Sequence, residues 1–277
     1  MKKIILPVDF SKHSEYALET AAALAKKHNS QLIVMNMLEL SESIFSESGA
    51  DRQNEMLFML ASVNKEFETF LDRDYLEGVD VTVIIKHHKV LKEVDEVAKA
   101  ENADLIVMGS RGHSTHSGIF TGSNTEKVVR YSDTPVLVIK GQNTNIDFDN
   151  VVLATDFTEE SVPAFKKASK LLNVIGSNIS LLHVNTPNAA QFKSTQETEN
   201  QVTDFLDKAD ATEWADKIVY VSDYSVEDGI LNHSNKTGAN IIAMTTHGRK
   251  GLSHFFGGSI SEDIVNHSVL PVLTIKM

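Results

Sequence analysis

The sequence predicts an α/β protein built from two tandem copies of one domain, each with a five-stranded parallel sheet covered by helices. Short runs of branched apolar residues alternate with segments of helical spacing, which is typical of a buried parallel sheet. Similar segments also recur in the same order in both halves of the chain. The 277 residues, 42% of them hydrophobic, are enough for two domains of ordinary size. We therefore expect domains at residues 1–141 and 149–277, joined by a polar, turn-rich linker over residues 141–150.

The repeat is clearest at two kinds of motif. The apolar run that ends in Asp9 has a counterpart that ends in Asp156, at an offset of 147. The glycine motif and the final apolar run come later in each copy. Their counterparts, for example Gly122 and Gly258, are separated by an offset of 136. The second copy is thus 11 residues shorter in its middle. Two unrelated α/β domains would not be expected to repeat four segments in one order.

Each element of the first copy follows from local pattern. The strands are expected where branched apolar residues cluster: 4–8, 31–38, 81–87, 105–108 and 136–139. Ser11 can cap a first helix, whose apolar stripe includes Ala17, Leu18 and Ala21. Further helices are expected over 56–76, 90–101 and 123–131, with a serine-rich loop over 40–51. In the second copy we expect strands over 151–155, 179–184, 217–221, 241–244 and 272–275, and a loop over 185–193.

Two strand ends carry residues suited to chemistry. Asp9 follows the first strand, and the segment from Gly109 to Gly112 follows the fourth. In open parallel sheets, ligands bind beyond the carboxyl ends of the strands, where the strand order reverses. If these two strands are neighbours at that point, both motifs face one crevice.

The glycine motif has the spacing Gly-x2-Gly-x9-Gly-Ser, from Gly109 through Gly112 to Gly122 and Ser123. Glycine lets backbone amides approach a phosphate, and the helix that starts at Ser123 directs free N–H groups toward an anion. No Gly-Lys-Ser/Thr follows, so this is not a Walker A loop. It follows the fourth strand, so it is not the dinucleotide fingerprint either.

This motif resembles the ATP-binding loop of the universal stress protein family. The Val8-Asp9-Phe10-Ser11 segment and the ending Thr134-Pro135-Val136 resemble that family's first and last strands, and the match covers nearly the whole chain twice. The resemblance implies tandem Rossmann-like domains of the adenine nucleotide alpha hydrolase type. It also implies ATP as ligand, with Mg²⁺ or Mn²⁺. Family members dimerise by pairing their last strands, and a tandem chain could pair 136–139 with 272–275 internally, as a pseudo-dimer.

The resemblance places the nucleotide site residue by residue. Asp9 would meet the adenosine, Met37 the base, and the glycine loop the phosphates, with Arg111 as a positive charge near them. The implied contacts of the first copy are Pro7, Val8, Asp9, Met37, Met108, Gly109, Arg111, Gly112, His113, Gly122, Ser123 and Asn124. The matching positions of the second copy are Thr155, Asp156, Val184, Met244, Thr245, Gly248, Arg249, Gly258, Ser259 and Ile260.

The second copy departs from the pattern where Thr245 replaces the first glycine. A β-branched residue there would narrow the approach to phosphates, so nucleotide binding by the second copy stays open. Other interpretations also stay open. Asp9 and Asp156 could simply cap helices, and the glycines could serve turns alone. The histidine pairs at 113 and 116 and at 247 and 254 supply fewer than the three or four ligands of a zinc site, so zinc is the less favoured of these open interpretations.

Composition limits the function classes. The net charge of −12, without a basic stripe, argues against nucleic acid and an anionic membrane as partners. The absence of cysteine excludes disulfides and thiol catalysis, and no apolar run is long enough to span a bilayer. The N-terminus does not resemble a signal peptide, so we expect a cytoplasmic protein.

The sequence favours a binding module in stress response, whose ATP occupancy is recognised by an unidentified protein partner. No residue is marked as a catalytic base or nucleophile. Two alternatives remain: a slow Mg²⁺-dependent ATPase, and a nucleotide-free interaction or small-molecule-binding scaffold, especially in the second copy. A homodimer of the tandem chain is also open.

Overall fold

The computed structural model describes residues 1–38, 49–87, 90–111, 122–142, 148–187, 193–246 and 259–277. In these residues ten strands form a single sheet, with five strands from each copy. The first copy contributes β1 (Lys3–Val8), α1 (Lys12–His28), β2 (Gln31–Leu38), α2 (Gly49–Leu71), β3 (Val81–His87), α3 (Val90–Ala100), β4 (Leu105–Gly109), α4 (Ser123–Tyr131) and β5 (Val136–Ile139). The second contributes β6 (Phe148–Ala154), α5 (Val162–Ile175), β7 (Gly176–Asn185), α6 (Thr195–Lys208), β8 (Ile218–Ser222), α7 (Val226–Thr237), β9 (Ile241–Thr246), α8 (Ser259–His267) and β10 (Val272–Lys276).

The strand order is β3-β2-β1-β4-β5-β10-β9-β6-β7-β8. All neighbouring strands are parallel except β5 and β10, which pair antiparallel with Leu137 opposite Leu273. The predicted α/β architecture with two tandem domains is confirmed, and so is the internal pairing of the last strands. That pairing joins two five-stranded sheets about a local two-fold axis.

Helices cover both faces of the sheet, because every strand near its centre is apolar on both sides. On one face, α1, α2, α5 and α6 pack over a core that includes Leu18, Phe67 and Phe165. On the other, α3, α4, α7 and α8 pack over residues such as Val94 and Ile264. Both cores run across the β5–β10 seam, so the two copies share their buried interior.

Several boundaries differ from the sequence prediction. Phe148, assigned to the linker, begins β6 and is 1% exposed, because its ring completes the core beside α5. The helix expected over 56–76 instead ends at Leu71, and a 3₁₀ turn follows at Asp74–Leu76. Helix α2 also begins at Gly49, inside the expected loop, of which 40–48 lies outside the described residues. Strand β7 starts at Gly176, directly after α5, rather than at 179.

Ser11 is the N-cap of α1, as the sequence predicts, and its side chain accepts a hydrogen bond from the N–H of Ser14. None of the described helices combines the length and apolar character needed to cross a membrane.

Candidate functional site

The strand order reverses between β1 and β4, which lie side by side in the sheet. Ile4 is opposite Leu105 and Ile5 is opposite Ile106, so Asp9 and Ser110 leave the sheet at the same edge. This is the position where parallel α/β sheets bind ligands. The structure thereby brings together the aspartate and glycine motifs that the sequence singled out.

Asp9 is held in a sharp turn. Phe10, the next residue, has a φ of 61°, a left-handed conformation that is uncommon for a bulky side chain. The turn brings Asp9 Oδ1 back to accept hydrogen bonds from Ser11 N at 3.1 Å and Ser14 Oγ at 2.6 Å. Asp9 is thus not the cap of α1, a role that Ser11 has; it fixes the turn that leads into the helix.

The second copy repeats this turn. Phe157 has a φ of 54°, and Asp156 Oδ1 accepts from Thr158 N at 3.0 Å and from the hydroxyls of Thr158 and Ser161. Conformations of this kind persist where surrounding structure holds them, and they concentrate at functional sites. Asp9 and Asp156 therefore form a matched pair in local geometry.

The N-terminus of α4 is tied to the end of β4. Gly122 N donates to Ser110 O at 2.8 Å, and the buried Thr125 hydroxyl donates to Gly109 O at 2.9 Å. The N-cap Gly122 makes no side-chain capping bond. The first-turn N–H groups of α4 therefore lack a cap from that residue at the edge where Asp9 also lies, which suits an anion.

Gly109 is explained by packing against α1. A Cβ atom at this position would lie 2.6 Å from the carbonyl oxygen of His13 and 2.7 Å from its carbonyl carbon. No real side chain tolerates that distance to backbone. The glycine therefore allows the first turn of α1 to sit against the end of β4.

His13 belongs to this edge, although the sequence analysis did not select it. Burial lowers the pKa of its imidazole, the positive charge of Arg111 lowers it further, and Asp9 opposes both. Asn36 was also missed: its buried amide donates to the carbonyl oxygen of Val8 at 2.9 Å. The signal for His13 was its place in the first turn of α1, four residues after Asp9.

The apolar residues assigned to the site divide by burial. Five of them are buried, so their side chains offer a ligand little surface: Pro7, Val8, Met108, Thr155 and Met244. Met37 and Val184 are partly buried at the ends of β2 and β7. Asn124 is exposed on α4, and Ile260 is partly buried on α8.

Part of each predicted loop lies outside the described residues: Gly112, His113, Gly248, Arg249, Gly258 and the histidines at 116, 247 and 254. Ser123 and Ser259 begin α4 and α8, but their side chains are not described.

The carboxyl ends of the strands are more enclosed by side chains in the second copy than in the first. Thr245 is fully buried, and its hydroxyl donates to that of Thr155 at 3.0 Å. On α6, Gln201 Nε2 donates to the carbonyl oxygens of Asp156 at 3.3 Å and Phe157 at 3.1 Å. His183 replaces the Asn36 of the first copy, and burial lowers the pKa of its imidazole.

In the part of the chain that the structure describes, no group of three or more His, Asp or Glu side chains is arranged to hold a metal ion. Asp9 offers one carboxylate at the switch point. Magnesium in proteins is commonly held by one or two carboxylates together with substrate phosphates. Because the family resemblance assigns Asp9 to the adenosine, a metal at this edge would take its oxygen ligands from the phosphates and from water rather than from this carboxylate.

Comparison with known proteins agrees with the repeat. The universal stress protein family model matches residues 1–140 and again 147–276. A universal stress protein of Methanocaldococcus jannaschii is 31% identical over 169 residues, which covers 51% of this chain and 96% of that protein. One of Thermus aquaticus is 31% identical over 150 residues, covering 50% of this chain and 98% of the relative.

A solved universal stress protein of Archaeoglobus fulgidus has the same fold along the whole length. It superimposes with a TM-score of 0.67 at 23% identity, covering 99% of this chain and 98% of that one. Two family matches that together span nearly all 277 residues leave no other assignment. The chain therefore belongs to the universal stress protein family, with two family domains in tandem.

Proposed function

We propose that this protein is a nucleotide-dependent binding module of the cytoplasm that takes ATP with Mg²⁺ in its first copy. The observation that carries the proposal is the placement of the α4 N-terminus. Its first turn, for which Gly122 supplies no side-chain cap, is joined to β4 through Gly122 and Thr125, at the edge where Asp9 leaves β1. A helix N-terminus favours phosphate, and the carboxylate of Asp9 suits a polar group of the nucleoside.

The charges at this edge support a phosphate ligand. Arg111 follows β4, and its positive charge reaches His13 in the first turn of α1. A phosphate chain between α4 and Arg111 would bring negative charge to both. Mg²⁺ would bind with the phosphates, and its positive charge would reduce their mutual repulsion.

We propose that the second copy binds nucleotide weakly or not at all. The side chain of Gln201 donates hydrogen bonds to the backbone carbonyl oxygens of Asp156 and Phe157. His183 lies at the position where the first copy has the smaller Asn36. Both differences place side chains near the strand ends that a nucleoside would have to reach. ATP occupancy would then differ between the copies, and a protein partner that responds in a stress response would recognise the occupied form.

Calorimetric titration of the nucleotide-stripped protein with ATP and Mg²⁺ tests this proposal. We expect one site per chain. Asp9→Asn should weaken binding by about tenfold, because it removes the negative charge that faces the nucleoside. Asp156→Asn is the matched control, since that carboxylate makes equivalent bonds in the second copy.

Comparing Asp9→Asn with Asp156→Asn separates a loss of ATP affinity from a loss of folding stability. Both lose a carboxylate that fixes a left-handed phenylalanine turn, so both should lose similar stability on thermal unfolding. An equal loss of ATP affinity in both variants, or two sites per chain, would contradict the assignment to the first copy. Folded protein that takes up no ATP would overturn the proposal.

A further inference from the structure

A cavity of about 250 Å³ lies at the seam between the two copies, beside the end of β4 that also borders the β1–β4 switch point. Arg111 and Lys140 line it from the first copy, at the ends of β4 and β5. His267, Ser268 and Val269 line it from the second copy, where α8 leads into β10. Its volume corresponds to roughly eight water molecules, so a ligand larger than a single small ion fits.

The internal two-fold symmetry relates this cavity to an equivalent region on the other side of the seam, with which it can be compared. At the offset of 136, Lys140 corresponds to Lys276 and Val269 corresponds to Asp133. On the other side of the seam, Lys276 Nζ contacts Asp133 Oδ1 at 2.9 Å and Tyr131 O at 3.0 Å. That lysine therefore has a carboxylate partner from the opposite copy.

Lys140 lacks the equivalent partner. The position of Asp133 is taken by Val269, whose side chain cannot accept a hydrogen bond and which is 80% exposed. Among the described residues, neither the Lys140 ammonium nor the Arg111 guanidinium has a hydrogen bond or an ion pair. No described acidic residue lines the cavity, and Glu227, which lies nearby, contacts His267 Nδ1 at 2.6 Å.

Two uncompensated cations in a partly buried cavity are unfavourable. Burial, and then the charge of Arg111, lower the pKa of Lys140 to about 8. An anion would relieve both effects, because it replaces lost hydration and separates the two positive charges. A guanidinium fork and an ammonium together match the oxygens of a phosphate better than those of a single carboxylate.

We propose that the seam cavity binds a small phosphate-bearing anion, held by Lys140 and Arg111 in the place that Asp133 occupies on the other side. The ligand is inorganic phosphate or the phosphate group of a small ester. The proposal does not require ATP at the switch point, although Arg111 belongs to both proposed sites. Lys140 and the residues of the second copy belong to the seam cavity alone. Occupancy would add contacts between the copies at the β5–β10 junction.

Titration in a phosphate-free buffer tests the proposal, with inorganic phosphate and glycerol phosphate as separate probes, monitored by calorimetry and by thermal shift. We expect saturable binding of at least one probe at or below about 1 mM. Tighter binding of glycerol phosphate would identify an ester, and equal binding would identify inorganic phosphate. Lys140→Met should weaken binding by more than about tenfold, since the ammonium is lost.

Val269→Asp is the sharper variant, because it restores the carboxylate present on the other side of the seam. Val269 is exposed, so the variant should fold, and its carboxylate should pair with Lys140 and abolish phosphate binding. Lys276→Met is the matched control and should bind phosphate like the wild type.

Three results would overturn the proposal: no binding to the wild type, unchanged binding in Val269→Asp, or equal losses in the Lys140 and Lys276 variants. Because Arg111 is shared with the proposed nucleotide site, saturating ATP should weaken phosphate binding to the wild type. Phosphate binding that ATP abolishes but Lys140→Met leaves unchanged would assign the phosphate to the nucleotide site and also overturn the proposal.

Discussion

The hydroxyl of Thr245 donates a 3.0 Å hydrogen bond to the hydroxyl of Thr155 in the interior of the second copy. The same two positions of the first copy hold Gly109 and Val8. Thr245 is fully buried and Thr155 is 4% exposed, so the pair belongs to the core rather than to the surface of a ligand site. The replacement of glycine by threonine is therefore accompanied by a second change that satisfies the new hydroxyl.

This pair predicts a non-additive effect on stability. Thr245→Val alone should lower the free energy of unfolding by about 1–3 kcal/mol, because it leaves the Thr155 hydroxyl buried without its partner. The double variant Thr245→Val, Thr155→Val should recover most of that loss, since both polar groups are then replaced by apolar groups of similar shape. Urea unfolding of the two single variants and the double variant measures the coupling. Additive losses would contradict the buried pair.

Gly109→Ala should destabilise the first copy even without ligand. The added Cβ would lie 2.6 Å from the backbone oxygen of His13, so the first turn of α1 must move. Such overpacking costs about 1–3 kcal/mol. Gly141→Ala is the matched control, because a Cβ there meets nothing within 4 Å. Equal unfolding midpoints for both alanine variants would exclude packing as the reason for the glycine.

Much of the fold could be predicted from the sequence because its signals are local and repeated. Branched apolar runs give the strands, and the matching offsets of 147 and 136 give the two copies. The pairing of β5 with β10 needed the resemblance, since no pattern within a strand identifies its neighbour. Phe148 was misplaced because polar, turn-forming residues surround it, while its burial depends on α5.

The site was only partly predictable. Asp9 and Gly122 stand out because strand ends and helix starts have characteristic residues. His13, Gln201 and Asn36 do not, because their importance depends on which elements meet at the switch point. The sequence also does not show why residue 109 must be glycine. That requirement comes from the backbone of His13, which is 96 positions away in the sequence (109 − 13).

Lys140 predicts a pH-dependent stability. Its pKa is about 8 in the folded protein, below the ordinary 10.5 of the unfolded chain. Between those values the unfolded chain binds the extra proton, so this lysine's contribution to stability rises with pH from about 8 to 10.5. Below about pH 8 its burial costs on the order of 3 kcal/mol. Arg111 and His267 are the other basic groups that line the same cavity.

Lys140→Met should therefore be more stable than the wild type at pH 7, and the difference should shrink as pH rises toward 10.5. Thermal unfolding across this range, in a buffer without phosphate, measures it. Lys276→Met should instead be less stable than the wild type at pH 7, because Asp133 loses a partner at 2.9 Å. A Lys140→Met variant that is less stable at pH 7 would contradict the account of an uncompensated charge.

Asp133, on the other side of the seam, predicts a pH dependence in the acid range, and its contribution at neutral pH is favourable rather than unfavourable. Hydrogen bonds from Lys99 and then Lys276 lower the pKa of its carboxyl to about 2, against an ordinary 3.8. A carboxyl with a lowered pKa stabilises the fold above the ordinary value, and that stability is lost as pH falls from about 4 to 2. Because the side chain is 57% exposed, solvent limits its contribution to about 1 kcal/mol or less.

Asp133→Asn should therefore be less stable than the wild type at pH 6 and nearly equal to it at pH 2, by urea unfolding at each pH. Lys276→Gln in the Asp133→Asn background should cost less than in the wild type, since the ion pair is already absent. That coupling should be mostly lost at pH 2, when Asp133 is protonated in the unfolded chain and about half protonated in the folded protein. An equal cost of Lys276→Gln in the two backgrounds at pH 6 would mean that the Lys276 side chain stabilises the seam through packing and its bond to Tyr131 O rather than through Asp133.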